Sequence, residues 1–177
     1  MPGTSSPCYR AAMHPDVADA RAFAIAAHGD QAYGEFPYVH HLDAVAAILA
    51  PYGITAQVIG YLHDTIEDTP VTREEVEARF GTHVADCVAI LTDEPGPNRK
   101  ARKQLTYAKM AQVGASHELA LVAKVADRLA NVRACIASGN SGMRAMYRDE
   151  HATFRPAVFR DGLCDPLWDE LDGLLAT

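Results

Sequence analysis

Leu62-His63-Asp64-Thr65-Ile66-Glu67-Asp68-Thr69 places an adjacent His-Asp pair one helical turn ahead of a Glu-Asp pair. Residues four apart share a helix face, so the spacing predicts His63 under Glu67 and Asp64 under Asp68. One imidazole and three carboxylates then crowd the end of an otherwise apolar segment. Carboxylates that close repel one another unless a cation is present, and a divalent metal is the simplest way to hold them together.

Working outward, every neighbouring stretch reads as helix or turn. Thr55 is the expected cap of the helix that carries Val58, Ile59, Leu62 and the His-Asp pair, and Thr69-Pro70 closes it. Upstream, Pro15 opens a helix with Val17, Ala20, Phe23, Ala24 and Ala27 on one face. Gly29, Gly34 and Pro37 make a loop, and Tyr38-Val39-His40-His41 leads into a second helix that ends at Pro51-Tyr52-Gly53. Downstream, Thr72 to Glu75 fits a capping box and Gly81 is a natural stop. Asp93 to Asn98 is a loop, and Asn98 to Gln112 is a helix with the basic start Arg99-Lys100-Ala101-Arg102-Lys103. A long helix from about Ser116 to Ser138 has Val122, Val125, Ala126, Leu129, Val132 and Ile136 as its apolar stripe. Met143 to Phe159 is helical with a kink or break at Pro156. Asp165-Pro166 opens the last helix. No period-two strand pattern competes, so the expected fold is a single all-α domain over residues 14–177 behind a flexible tail over residues 1–13.

Composition narrows the function. With 16 Lys+Arg against 23 Asp+Glu, the net charge of −7 argues against a nucleic-acid partner and requires local cations for any anionic substrate. The four cysteines are scattered without a CxxC, which suggests reduced thiols in a cytoplasmic protein. No run approaches the roughly 20 apolar residues of a membrane span, and the N-terminus lacks a signal peptide's apolar stretch. Oligomeric state has no signature in the sequence.

Two further stretches carry candidate chemistry. His41 opens a helix. Asp127 lies in the apolar run Lys124-Val125-Ala126-Asp127-Arg128-Leu129-Ala130-Asn131, where an unpartnered charge is costly. Lys124, Asp127 and Asn131 are spaced to share one helix face.

With these motifs in order, the chain resembles the HD-domain phosphohydrolases. It is most similar to the alarmone hydrolases of the RelA/SpoT type in their small single-domain form, over roughly residues 20–135. The resemblance implies an HD-domain helical bundle in which His41, His63, Asp64 and Asp127 bind one divalent metal, Mn²⁺ being the expected ion. Ligand chemistry alone also allows Fe, Ni or Zn. It implies that Glu67 and Asp68 position or deprotonate the attacking water, and that Asn131 contacts the ribose or its 3′ substituent. Lys124, Arg102 and Lys103 would face phosphates, with Tyr147 in a pocket wall. The implied reaction is hydrolysis of the 3′-pyrophosphate of (p)ppGpp or a related purine alarmone such as (p)ppApp. Two alternatives stay open, a 5′-nucleotide phosphohydrolase and a non-catalytic nucleotide sensor.

The match departs from the family in one informative place. Family members usually have His-x-x-Gln-x-Arg before the first metal histidine, and the Arg stacks on the base. Here His28-Gly29-Asp30-Gln31-Ala32-Tyr33 ends in Tyr33, whose ring is able to stack on a purine but brings no cation. Leu42 follows His41 where family members usually have Pro. The expectation is an altered base preference, toward an adenine alarmone or a different nucleotide.

Overall fold

The computed structural model describes residues 13–176; the tail expected over residues 1–13 lies, apart from Met13, outside the described residues. The chain runs α1 (Pro15–His28), β1 (Ala32–Tyr33), β2 (Phe36–Pro37), α2 (Val39–Leu49), α3 (Ile54–Leu62) and α4 (Thr65–Asp68). It continues through α5 (Arg73–Phe80), α6 (Thr82–Leu91), α7 (Arg99–Ala111), α8 (Glu118–Ala137), α9 (Ser141–Val158) and α10 (Asp165–Ala176). The all-α expectation holds, with one addition: β1 and β2 pair as a two-residue antiparallel hairpin where the sequence reads as loop. Gly34 turns it at a positive φ of 62°, a conformation costly for any residue with a side-chain Cβ.

α8 is the central post. It packs against α2, α3, α6, α9 and α10, while α3 also packs against α1 and α2. Ala120 to Ala126 are buried without interruption, followed by Arg128, Leu129, Ala130 and Val132. That is wider than a single stripe and matches a helix surrounded on most sides. Close approach of α2 and α3 depends on Gly60, since a Cβ there would meet Leu49 Cδ1 at 2.6 Å.

Local signals behave as their chemistry dictates. Thr72 and Glu75 form both halves of the capping box. Gly81, at φ 86° and ψ 162°, ends α5 and starts α6. Three details differ from the sequence reading. Gly53, not Thr55, occupies the N-cap of α3. α9 runs through Pro156 to Val158 without a break, although the proline has no N–H to give to the helical ladder. The helix expected to carry both acidic pairs bends at His63-Asp64, separating α3 from α4. Thr65 Oγ1 donates to the Leu62 carbonyl at 2.7 Å and competes for the helical acceptor there. His63 keeps helical geometry and lies in the interior at 1% exposure, while Glu67 and Asp68, beyond the bend, stay on the open side.

Leu129 and Ile136 both belong to the predicted stripe of α8, but only Leu129 is fully buried; Ile136 is 42% exposed. Leu129→Ala is expected to cost about 2–5 kcal/mol in urea unfolding, and Ile136→Ala less than about 1 kcal/mol.

Candidate metal centre

Four side chains meet at a point, from α2, α8 and the turn that follows α3. His41 Nε2 and His63 Nε2 are 3.3 Å apart. Asp64 Oδ2 lies 2.9 Å from His63 Nε2 and 3.9 Å from His41 Nε2. Asp127 Oδ1 lies 3.3 Å from His41 Nε2 and 3.6 Å from His63 Nε2. Donor atoms of His41, His63 and Asp64 all fall within 4.8 Å of one another, and Asp127 joins them through the two imidazoles. With ligand bonds of about 2.1 Å, two donors on one ion sit roughly 3 Å apart at right angles and at most about 4.2 Å apart when opposed. The five separations fit that range.

The chemistry of the donor set also fits a cation. His63 Nδ1 faces the Gly60 carbonyl at 2.8 Å, so Nδ1 carries the proton and the Nε2 lone pair points at the cluster. That lone pair faces a second imidazole nitrogen and two carboxylate oxygens, an arrangement that needs a proton or a metal between them. Both histidines are buried.

The metal-free electrostatics show the same tension. Burial disfavours the His63 imidazolium, yet Asp64 and Asp127 outweigh it and raise its pKa well above the usual value. Burial works to raise both aspartates, but His63 holds Asp64 below the ordinary carboxylate range. Lys124 and the two histidines do the same for Asp127. Lys124 is itself buried and keeps its charge, against desolvation, through Asp127, Asp64, Glu67 and Asp93. Its Nζ lies 3.5 Å from Asp127 Oδ2.

Around this point a cavity of about 150 Å³ is lined by Tyr33, Tyr38, His41, Asp64, Glu67, Asp68, Arg99, Lys103, Lys124, Asp127, Arg128, Asn131 and Tyr147. Glu67 Oε2 accepts the Asp93 N–H at 2.8 Å. Burial, helped by the Asp93 and Asp64 carboxylates, raises the Glu67 pKa against that hydrogen bond and Lys124. Asp64 and Asp68 meet through Tyr38, whose hydroxyl lies 2.5 Å from Asp64 Oδ2 and 3.3 Å from Asp68 Oδ2. His63, by contrast, has turned away from Glu67 into the core. Lys103 reaches Asp93 at 2.8 Å, and burial together with Lys124 lowers its pKa. Arg102 stays outside the cavity lining, 41% exposed and 3.9 Å from Asp93. Tyr33 donates to Asn131 Oδ1 at 2.8 Å, and Asn131 Nδ2 donates to Asp127 Oδ1 at 2.6 Å. Tyr147 lies under the Arg128 guanidinium, 4.7 Å from its ring centre.

Three lining residues had no role in the sequence reading. Tyr38 was visible as part of the motif before His41, one turn ahead of a histidine. Arg99 was visible only as one cation in a basic run. Arg128 stands next to Asp127 but points elsewhere, hydrogen-bonding Tyr107 and pairing with Glu150. A second pocket of about 920 Å³ opens beside the first and shares Tyr33, Asn131 and Tyr147 with it.

A family model described as the HD domain matches residues 20–163. The chain belongs to the HD-domain family. Within it, the sequence is 40% identical over 101 residues to a human guanosine-3′,5′-bis(diphosphate) 3′-pyrophosphohydrolase, covering 55% of each chain. The zebrafish counterpart is 38% identical over 127 residues, covering 66% of this chain and 67% of its relative. An enzyme of the same name from Aquifex aeolicus is 31% identical over 152 residues, 84% of this chain but 22% of that protein. The chain therefore spans about half the length of the human relative and about a fifth of the bacterial one. Among solved structures, a metazoan SpoT orthologue that hydrolyses ppGpp superposes with a TM-score of 0.77 at 25% identity, covering 93% of this chain and 97% of that one. A Listeria monocytogenes protein gives 0.61 at 25% identity, over 76% of this chain and 96% of that one. HD domains bind a divalent metal, and the cluster on α2, α3 and α8 is where this one can hold it. No helix among the described residues is long and apolar enough to cross a membrane.

The raised His63 pKa stabilises the metal-free fold below about pH 6.5, and that contribution is lost as pH rises through the higher folded value. The depressed Asp64 and Asp127 values act only on the acid side, lost as pH falls below about 4. In chelator, urea midpoints are expected to fall from about pH 6 to about pH 9. A saturating divalent metal is expected to reverse that trend, because metal and proton compete for the same donors.

Proposed function

We propose that the chain is a Mn²⁺-dependent hydrolase of the 3′-pyrophosphate of (p)ppGpp or a closely related purine alarmone. The observation that carries this reading is the joint placement, in one small cavity, of the four-donor cluster, the Glu67-Asp68 pair and the cations Arg99, Lys103 and Lys124. The names of the human, zebrafish and Aquifex relatives, each a 3′-pyrophosphohydrolase of guanosine bis(diphosphate), support the same substrate class.

His41, His63, Asp64 and Asp127 would hold the ion. When bound, it supplies Lewis acidity toward water and a phosphoryl oxygen. Glu67, with its pKa raised by burial, is the better-matched proton acceptor for the attacking water. Asp68 faces Asp64 across the Tyr38 hydroxyl and orients that water. A P–O bond forms from water to the phosphorus attached at ribose O3′, the P–O3′ bond breaks, and a proton passes to O3′. The products are pyrophosphate and a nucleoside that keeps its 5′-di- or triphosphate and gains a free 3′-hydroxyl. Lys124, Lys103 and Arg99 offset charge on the phosphoryl oxygens, a local positive field that the overall charge of −7 does not supply.

The adjoining pocket suits the nucleoside, since about 300–1,000 Å³ is the usual size of a small-molecule site. Its lining carries aromatic and small groups, with Glu35 as the carboxylate and His40 as the imidazole among them. Tyr33 stands where family members use a base-stacking Arg, which favours a shifted base preference and keeps a 5′-nucleotide substrate as the second reading. Arg102 lies outside the cleft and is not needed.

With Mn²⁺ and a panel of ppGpp, pppGpp, ppApp and ordinary nucleotides, the purified protein is expected to release pyrophosphate and no orthophosphate. Orthophosphate from a 5′-nucleotide would establish the second reading, and no release from any purine alarmone would make the protein a sensor. Glu67→Gln and Asp68→Asn are each expected to lower kcat by about 10²–10⁴-fold with KM little changed.

A further inference from the structure

We propose that the β1–β2 hairpin is a brace for the metal centre, with Tyr33 of β1 and Tyr38 just after β2 setting the orientation of three of the four donors. The inference rests on reading the cluster as a metal site. His63 is oriented from its own helix by the Gly60 carbonyl. The other three are held from the hairpin. Tyr33 lies flat on the His41 ring, with centroids 4.7 Å apart and planes 19° apart. Tyr38 meets the same ring edge-on at 5.8 Å. His41 is thus gripped by aromatic contacts on two sides.

The hydroxyls reach the carboxylates. Tyr38 donates directly to Asp64 Oδ2, the same oxygen that faces His63. Tyr33 acts through a relay: its hydroxyl donates to Asn131 Oδ1, and the Asn131 amide donates to Asp127 Oδ1, the oxygen that faces both imidazoles. The same amide lies 3.0 Å from the Asp127 backbone carbonyl, which ties it to the helix. With Oδ1 engaged by Tyr33, the Asn131 amide is fixed with its nitrogen toward Asp127. Each carboxylate keeps a lone-pair direction for the ion while one hydrogen bond sets its rotation.

The brace has an anchor of its own. His28 stacks on the Tyr38 ring at 4.3 Å and hydrogen-bonds Gln31 at 2.8 Å, tying the hairpin base to α1. The Tyr38 N–H donates to the Gln31 carbonyl and extends the hairpin pairing by one rung. A tyrosine at position 33 does here what an arginine would not: it offers a flat ring to His41 and a single hydroxyl to Asn131, with no positive charge beside the site of a dication.

Groups that orient ligands from outside the coordination sphere typically change metal affinity about 10–100-fold when removed. The test is calorimetric titration of the chelator-stripped full chain with MnCl₂, together with urea unfolding of each metal-free variant. Tyr33→Phe and Tyr38→Phe are each expected to weaken the Mn²⁺ Kd by about tenfold or more, with metal-free unfolding midpoints close to the parent's. In an Asn131→Ala background, Tyr33→Phe is expected to cause no additional loss, because the relay is already cut. Tyr38→Phe keeps its full effect there. If the parent binds Mn²⁺ and both phenylalanine variants bind it within about twofold of the parent, the brace is overturned. If the parent itself takes up no Mn²⁺, the metal reading fails first, and the two failures are told apart by the same titration. Should one tyrosine variant fail to fold, the other and the Asn131 background decide the outcome.

Discussion

Mutual repulsion between donor atoms governs this site. Two imidazole nitrogens and two carboxylate oxygens are held a few ångströms apart, largely out of water, with Lys124 as the nearest fixed cation. Such a cluster is unfavourable in a low dielectric unless something positive sits within it. The surrounding fold can be understood as the apparatus that keeps these groups from separating. α2 supplies His41, the end of α3 supplies His63 and Asp64, and α8 supplies Asp127.

Close packing makes the convergence possible. Gly60 lets α3 lie tightly on α2, and its carbonyl then sets the tautomer of His63. Ala123, Ala126 and Ala130 keep α8 slim where other helices press against it. The bend at His63-Asp64 is equally important. A continuous helix would have kept His63 on the same face as Glu67, whereas the bend leaves the imidazole inward and the Glu-Asp pair at the mouth of the cleft. That separation matches the proposed roles: buried donors for an ion, more accessible carboxylates for a proton.

Charge is layered around that centre. Lys124 neutralises part of the cluster from within. Lys103 and Arg99 stand further out, each already paired with a carboxylate, Asp93 and Glu150 respectively. An incoming phosphate would compete with those partners, so the cations are positioned without being free. The cleft thus gathers cations on a chain whose overall charge is negative.

The helical class, the order of the helices and the chemical motifs were legible in the sequence because each rests on local rules. Apolar spacing of 3.6 residues, the Thr72–Glu75 capping box, Gly81 and the His-Asp and Glu-Asp pairs are all short-range signals. The hairpin was not legible, because two paired residues per strand leave no alternation to detect. Nor was the bend after Leu62, which turns on a competition between the Thr65 hydroxyl and a backbone donor. The roles of Tyr38 and the Tyr33–Asn131 relay escaped for a different reason. Tyr33 and Asn131 are 98 residues apart, and a hydrogen bond between them exists only once the hairpin has been set against α8. The sequence by itself determined which atoms are available to bind and react. The tertiary structure alone decided where they point, since direction depends on how helices pack, and packing is a property of the whole chain.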